Sequence, residues 1–289
     1  MKKLLVLFLA LFACVAFTGC PELAQPELAE RQEASVSANT PSPAAPAAVT
    51  DYAAPVPVPQ YQQPAPAWQP VAGRVVILDA GHGGDNLGAN YFGLAEKDIT
   101  LDLAKRTAQR LQAMGVNVRM TRQTDVFVPL AERSAFANKN PNAVFISIHC
   151  NASAQNPQAT GIETYILSKQ FSDDEQCRKA LARYSVTGRD KTQSRQQLES
   201  LTRVCRAEGP ILAASMQKSL VTKLGDRDRG IKPGNLAVLR ETYFCPAVLV
   251  EVGFLSNYQT ARKMSTPSWR DMTSLALAEG IVGYLQGNK

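Results

Sequence analysis

The chain is poor in histidine, with two in 289 residues, and poor in aromatic residues, at 7%. It has no internal repeat and no concentrated basic stripe with interleaved aromatics, so solenoid architectures and nucleic-acid binding are both disfavoured. Its formal charge of +6 is modest, and two of the cations, Lys2 and Lys3, sit in a leader-like segment. Mild basicity of this kind suits an anionic substrate or surface. Only one long apolar run stands out, "LLVLFLALFACVAF" behind those two lysines, and it is too short for a comfortable membrane span. It has the shape of a secretory signal.

That leader ends at "FTGC", where Gly19 and Cys20 resemble the lipobox of bacterial lipoproteins, in which the cysteine is acylated and becomes the first mature residue. The expectation is a signal peptide over 1–20 and a lipid anchor at Cys20. The chain is then periplasmic and membrane-tethered, in the outer membrane rather than the inner. Residues 21–72 are rich in Pro, Ala and Gln without a periodic apolar face, which predicts a disordered, semi-rigid tether. About 50 residues at roughly 3.1 Å each would reach on the order of 100 Å.

Residues 73–289 have the length and pattern of one α/β domain, with a mostly parallel sheet of roughly six strands flanked by helices on both faces. The strands expected are "RVVILD", "VNVRM", "AVFISI", "GIETYIL", "NLAVLR" and "AVLVEV". Helices are expected over Asp98 to Gly115, Val128 to Lys139, Ile211 to Leu224 and Ser268 to Leu285. In the first of these Ile99, Leu103, Ala104, Ala108, Leu111 and Met114 share one face. Lys169 to Pro210 reads as a polar, basic insert. Cys177 and Cys205 within it are close enough in sequence to form a disulfide, whereas Cys150 and Cys245 fall at opposite ends of parallel strands, too far apart to bridge.

Ligands of such sheets collect at the carboxyl ends of the strands. His82, in "LDAGHGG", lies just past one strand, among glycines that offer it no packing. His149, in "SIHCNAS", ends a second strand, and Glu251 ends a third. Two histidines at strand ends suit a catalytic zinc, which takes three protein ligands and keeps a position open for water. Asp79, Asp85, Glu96, Cys150, Glu163 and Glu251 are candidates for the third ligand. Glu96 is favoured because it opens a helix after a loop that must cross back over the sheet, the alternative being an acid that only stabilises the helix N-terminus. Asp79 and Asp85 are expected to hold the loop or orient His82. Cys150 follows His149 directly and so faces the other way.

Glu251 ends a run of buried aliphatics, where burial disfavours the charged form unless a cation compensates. A glutamate there can move a proton for an attacking water. The competing reading is a structural acid paired with Arg240. Both histidines being committed, no Ser or Cys has a partner histidine, which argues against covalent catalysis.

The blocks "VVILDAGHGG", "GLAEKDITLDLAKRTAQRL", "TRQTDVFVPLAERSAFAN", "FISIHCNAS", "GIETYIL", "RGIKPGNLAVLRE" and "PAVLVEVGFLSN" together resemble, in order and spacing, the zinc-dependent N-acetylmuramoyl-L-alanine amidases of type 3, which include the cell-division amidases. The resemblance implies zinc held by His82, Glu96 and His149, with Glu251 as catalytic acid/base. The substrate would be the amide between N-acetylmuramic acid and the L-alanine of the peptidoglycan stem peptide. It also implies an activator protein of the LytM-like type as a partner, because in some relatives the region of the insert holds a helix that blocks the zinc. Glu199 is the insert residue that could in principle reach a metal, but the insert carries no strong match to the inhibitory pattern, and a surface helical excursion is the favoured reading of it. A zinc peptidase acting within the stem, and a non-catalytic wall-binding lipoprotein, remain as alternatives.

Overall fold

The computed structural model of the chain describes residues 74–169 and 195–287. The leader, the tether, and Cys177 with most of the insert lie outside the described residues. Fourteen elements follow in order: β1 (Val75–Ala80), β2 (Asn90–Tyr91), β3 (Leu94–Ala95), α1 (Glu96–Ala113), β4 (Asn117–Met120), α2 (Leu130–Asn138), β5 (Val144–Asn151), β6 (Ile162–Leu167), α3 (Arg195–Leu224), β7 (Asp228–Gly234), α4 (Ala237–Arg240), β8 (Ala247–Phe254), α5 (Tyr258–Met264) and α6 (Pro267–Leu285).

Six strands form one sheet in the order β4-β1-β5-β8-β6-β7. All neighbours are parallel except β6 and β8, which run antiparallel. The mostly parallel, helix-flanked sheet expected from the alternating pattern is therefore present. Period-two alternation divides its side chains between two cores. Val76, Leu78, Ile146, Ile148 and Val250 pack with Ile99 and Leu103 of α1, Leu212 and Met216 of α3, and Leu277 and Ile281 of α6. Ile77, Phe145 and Leu249 face the other way, onto Ala137 of α2 and Val238 and Leu239 of α4. Each fully buried aliphatic side chain contributes about 1.5–3 kcal/mol relative to exposure.

Two expectations need correction. "NLAVLR" is not a strand; its apolar residues form the short helix α4, buried against the second core. The sixth strand is instead β7, "DRGIKPG", whose glycines, proline and charges read as a loop. It forms because it is an edge strand, where a proline with no N–H to donate is tolerated and one partner, β6, supplies the ladder. The helix expected from Ile211 begins at Arg195 and runs through Pro210. The lost hydrogen bond at the proline is outweighed by burial on the upstream side, where Thr202 and Cys205 are both buried. The pairing expected of Cys205 falls on Cys177, which lies outside the described residues; Cys205 itself is a free thiol enclosed in the protein, as are Cys150 and Cys245. Burial pushes the Cys205 thiol up to about 11 and Cys245 up to about 12.

No helix among the described residues is long and apolar enough to cross a membrane.

Candidate metal centre

The end of β1 explains why a histidine sits among glycines. His82 has a φ of 59°, a left-handed conformation that non-glycine residues seldom adopt, and it persists only where the surroundings impose it. Here they do. Gly81 N donates to Ile148 O at 3.1 Å, and Gly83 and Asn86 exchange backbone hydrogen bonds at 3.0 and 3.2 Å. Two arginines fasten the loop's carbonyls from below. Arg133 of α2 donates from Nη1 to Ala80 O (2.6 Å) and from Nη2 to His82 O (2.7 Å). Arg122 donates from Nε to Ala80 O (3.0 Å) and from Nη2 to Gly81 O (2.8 Å).

Asp79 anchors this clamp. Its Oδ1 accepts from Arg133 Nη1 (2.8 Å) and Thr121 Oγ1 (2.6 Å), and its Oδ2 accepts from Ser147 Oγ (2.7 Å). Burial alone would raise the carboxyl, but Arg133 and the two hydroxyls more than offset it and hold the group below the usual carboxylate range. Asp79 thus holds the loop, as expected, while Asp85 is exposed at its tip. The residue that orients His82 is Asn86, whose Oδ1 lies 2.9 Å from His82 Nδ1. An asparagine carries no charge to draw attention in a sequence, and the loop geometry that aims it is visible only in three dimensions.

Glu96 is the first residue of α1, reached through the small β2–β3 hairpin. Its Oε2 accepts from Ala89 N and its Oε1 from Cys150 N, both at 2.8 Å. The same oxygens face His82 Nε2 at 3.1 Å and His149 Nδ1 at 2.9 Å. Against the cost of burial, the two imidazoles hold the Glu96 carboxyl well below its ordinary range. One donor atom from each of His82, Glu96 and His149 lies within 4.8 Å of the others. In the neutral form, with its Nδ1–H donated to Asn86, His82 aims its Nε2 lone pair at a carboxylate oxygen that already accepts a backbone N–H. Lone pairs facing one another in a buried site call for a cation between them, so these residues fit a divalent metal. Two imidazoles and one carboxylate are a zinc donor set of the catalytic type.

The space for such a group depends on two glycines. A Cβ on Gly81 would lie 2.4 Å from His149 Cε1, and one on Gly88 would lie 2.5 Å from Glu96 Oε2 and 2.6 Å from His82 Cδ2.

Register places the remaining candidates. His149 of β5 pairs with Glu251 of β8, and Glu251 pairs with Glu163 of β6, so three adjacent strands present these side chains in one row on one face. Arg240, the partner weighed for Glu251, is committed to Asn235 and Glu241. Cys150 points into the opposite core, where burial, followed by the Glu96 and Glu251 charges, raises its thiol well above normal. It is neither ligand nor nucleophile. Glu163 and Glu199, also weighed, are not in the ligating group among the described residues. Glu163 is buried, accepts from Asn151 Nδ2 at 2.6 Å, and faces Arg229 and Lys232 of β7. This cluster was not foreseen, because β7 reads as a loop.

Comparison with known proteins agrees with this geometry. The family model described as N-acetylmuramoyl-L-alanine amidase matches residues 76–282. The uncharacterized protein YqiI of Bacillus subtilis is 32% identical over 220 residues, covering 76% of this chain and 89% of that protein. The N-acetylmuramoyl-L-alanine amidase AmiA of Escherichia coli is 30% identical over 226 residues, covering 73% and 76%. Among solved structures, an N-acetylmuramoyl-L-alanine amidase from Clostridium difficile superposes with a TM-score of 0.59 at 28% identity, covering 75% of this chain and 98% of that one.

Proposed function

The chain belongs to the N-acetylmuramoyl-L-alanine amidase family, and from that premise we propose that it is a zinc-dependent peptidoglycan hydrolase cleaving the amide between N-acetylmuramic acid and the stem peptide's L-alanine. One observation carries the proposal: His82, Glu96 and His149 converge with metal-ligating geometry, and Glu251 stands beside His149 in the same row. Bound by those three residues, zinc supplies Lewis acidity towards a carbonyl oxygen and a water.

The rest is the work of the chain. Glu251, half-buried in the second half of β8, accepts the proton of the attacking water and returns it to the departing L-alanine nitrogen. Asn86 holds the His82 tautomer, and the backbone amides of Ala89 and Cys150 hold the Glu96 carboxylate. The Arg122–Arg133 clamp keeps the loop from relaxing to an unstrained φ. Among the described residues the cysteines, Cys150, Cys205 and Cys245, are buried with raised thiols and offer no nucleophile.

In the same proposal the enzyme is exported, acylated at Cys20 and held in the periplasm at a membrane, the outer one in preference to the inner. It remodels the wall during cell division under control of an activator of the LytM-like type. The lipobox-like "FTGC" and the Pro/Ala-rich 21–72 segment support the anchor and its reach.

The test is mass spectrometry of purified peptidoglycan incubated with the full chain, with and without a zinc chelator. Stem peptides beginning at L-alanine beside peptide-free glycan, abolished by chelation, are the expected result. Fragments cut inside the stem would move the reaction to a different bond.

A further inference from the structure

The direction in which the substrate lies is set by the row His149, Glu251, Glu163. This inference rests on the amidase reading. The group that protonates the leaving amine must sit next to it, so the stem peptide departs from the metal on Glu251's side, and the next strand on that side carries Glu163. Neighbouring strands are about 4.8 Å apart.

At that position one buried carboxylate meets two cations. Glu163 is 2% exposed, whereas the Arg229 and Lys232 side chains keep 27% and 34% of their surface open. Glu163 Oε1 faces Arg229 Nε at 3.4 Å, and Oε2 pairs with Lys232 Nζ. Glu163 is enclosed while Arg229 and Lys232 keep open surface, so of these three it is the cations that reach solvent, with the Glu251 carboxylate one strand further on. Arg229 is held in place: its guanidinium lies 4.8 Å from the centre of the Phe254 ring, and its stem packs over Gly161, where a Cβ would come within 2.9 Å of it. The nearby Asp228 is turned elsewhere, its Oδ1 accepting from Gln217 Nε2 at 2.6 Å and Gly230 N at 2.8 Å.

We propose that Lys232 and Arg229 form a subsite for a free carboxylate on the second residue of the stem peptide. When that residue is joined onward through its side chain, its α-carboxylate is left unsubstituted. It lies five bonds beyond the scissile nitrogen, a reach of between one and two Cα–Cα steps of about 3.8 Å. One strand spacing from Glu251 to Glu163 plus a hydrogen bond to Lys232 spans a similar distance. The subsite makes the enzyme discriminate a carboxylate from its carboxamide, since amidation removes the charge that the cations recognise.

The experiment uses the zinc-loaded full chain and two soluble muramoyl peptides that differ only in carboxylate against carboxamide at the second residue. The native enzyme is expected to favour the carboxylate in kcat/KM by about tenfold. Lys232→Met should bring that ratio close to parity, and Lys232→Arg should restore most of it. Equal use of both substrates by the native enzyme, or an unchanged ratio in Lys232→Met, overturns the subsite and leaves the amidase reading standing. Cleavage of neither substrate removes the amidase reading and the subsite together.

Discussion

His82, Glu96 and His149 divide the labour differently from Glu251, and substitution separates the two roles. His82→Ala removes a lone pair from the metal group, so both zinc content and turnover should be lost. Glu251→Gln keeps the shape and removes only the proton carrier; zinc content should stay at the native level while kcat falls about 10²- to 10⁴-fold. Equal zinc content in the two variants would contradict the assignment of His82 as a ligand. Asp79 invites a different measurement. Its carboxyl titrates lower in the folded chain than in the unfolded one. The stability it contributes is therefore complete above the unfolded value of about 4 and is lost as pH falls through the lower folded value. Asp79→Asn should cost about 3–5 kcal/mol near neutral pH, because it leaves Arg133 buried without its counter-charge. That deficit should shrink once the pH drops below about 4. Urea unfolding of both proteins at pH 7 and at pH 3 reads the difference, and an equal gap at the two pH values would count against the pairing.

At the scale of elements, the site exists because strand ends, a loop and a helix start meet at one corner of the sheet. The residue types and the strand ends were legible in the sequence: "RVVILD" and "AVFISI" are β-branched runs with period-two burial, and "AEKDITLDLA" has a helix period that starts at Glu96. The row His149, Glu251, Glu163 was not, since it depends on β6 running antiparallel to β8. The close approach of Gly81 to His149 across β1 and β5 is of the same kind. Gly81→Ala should push the His149 ring out of line and weaken zinc binding by about 10- to 100-fold, measured by competition with a fluorescent chelator. Native affinity in that variant would mean that the two strands can part at no cost.

For the molecule as a whole, the described core carries the family's fold, and the first 72 residues are proposed to supply its address. The proposed lipid at Cys20 can be tested without touching the site. The native chain should sediment with membranes, Cys20→Ser should appear in the soluble periplasmic fraction, and both should digest isolated wall equally. Sedimentation of the variant with the membranes would show that something other than this cysteine holds the protein there. The mild positive charge of the chain takes on a more specific meaning at this scale, because two of its cations, Arg229 and Lys232, stand on the side of the metal from which the peptide would leave.

The sequence by itself determined the fold class, the two histidines near the carboxyl ends of strands and the helix-opening Glu96; Glu251 falls on the strand foreseen for it, but that strand runs on to Phe254 rather than ending there. Each of these follows from local periodicity and from the chemistry of single residues. Only the tertiary structure decided which segment became the sixth strand, that Asn86 rather than an acid orients His82, and that Cys205 is buried as a free thiol. It also decided that Glu163, Arg229 and Lys232 gather beside Glu251. Those outcomes depend on strand register, edge position and the pairing of residues far apart in the chain, and neither a 3.6-residue nor a two-residue repeat carries that information.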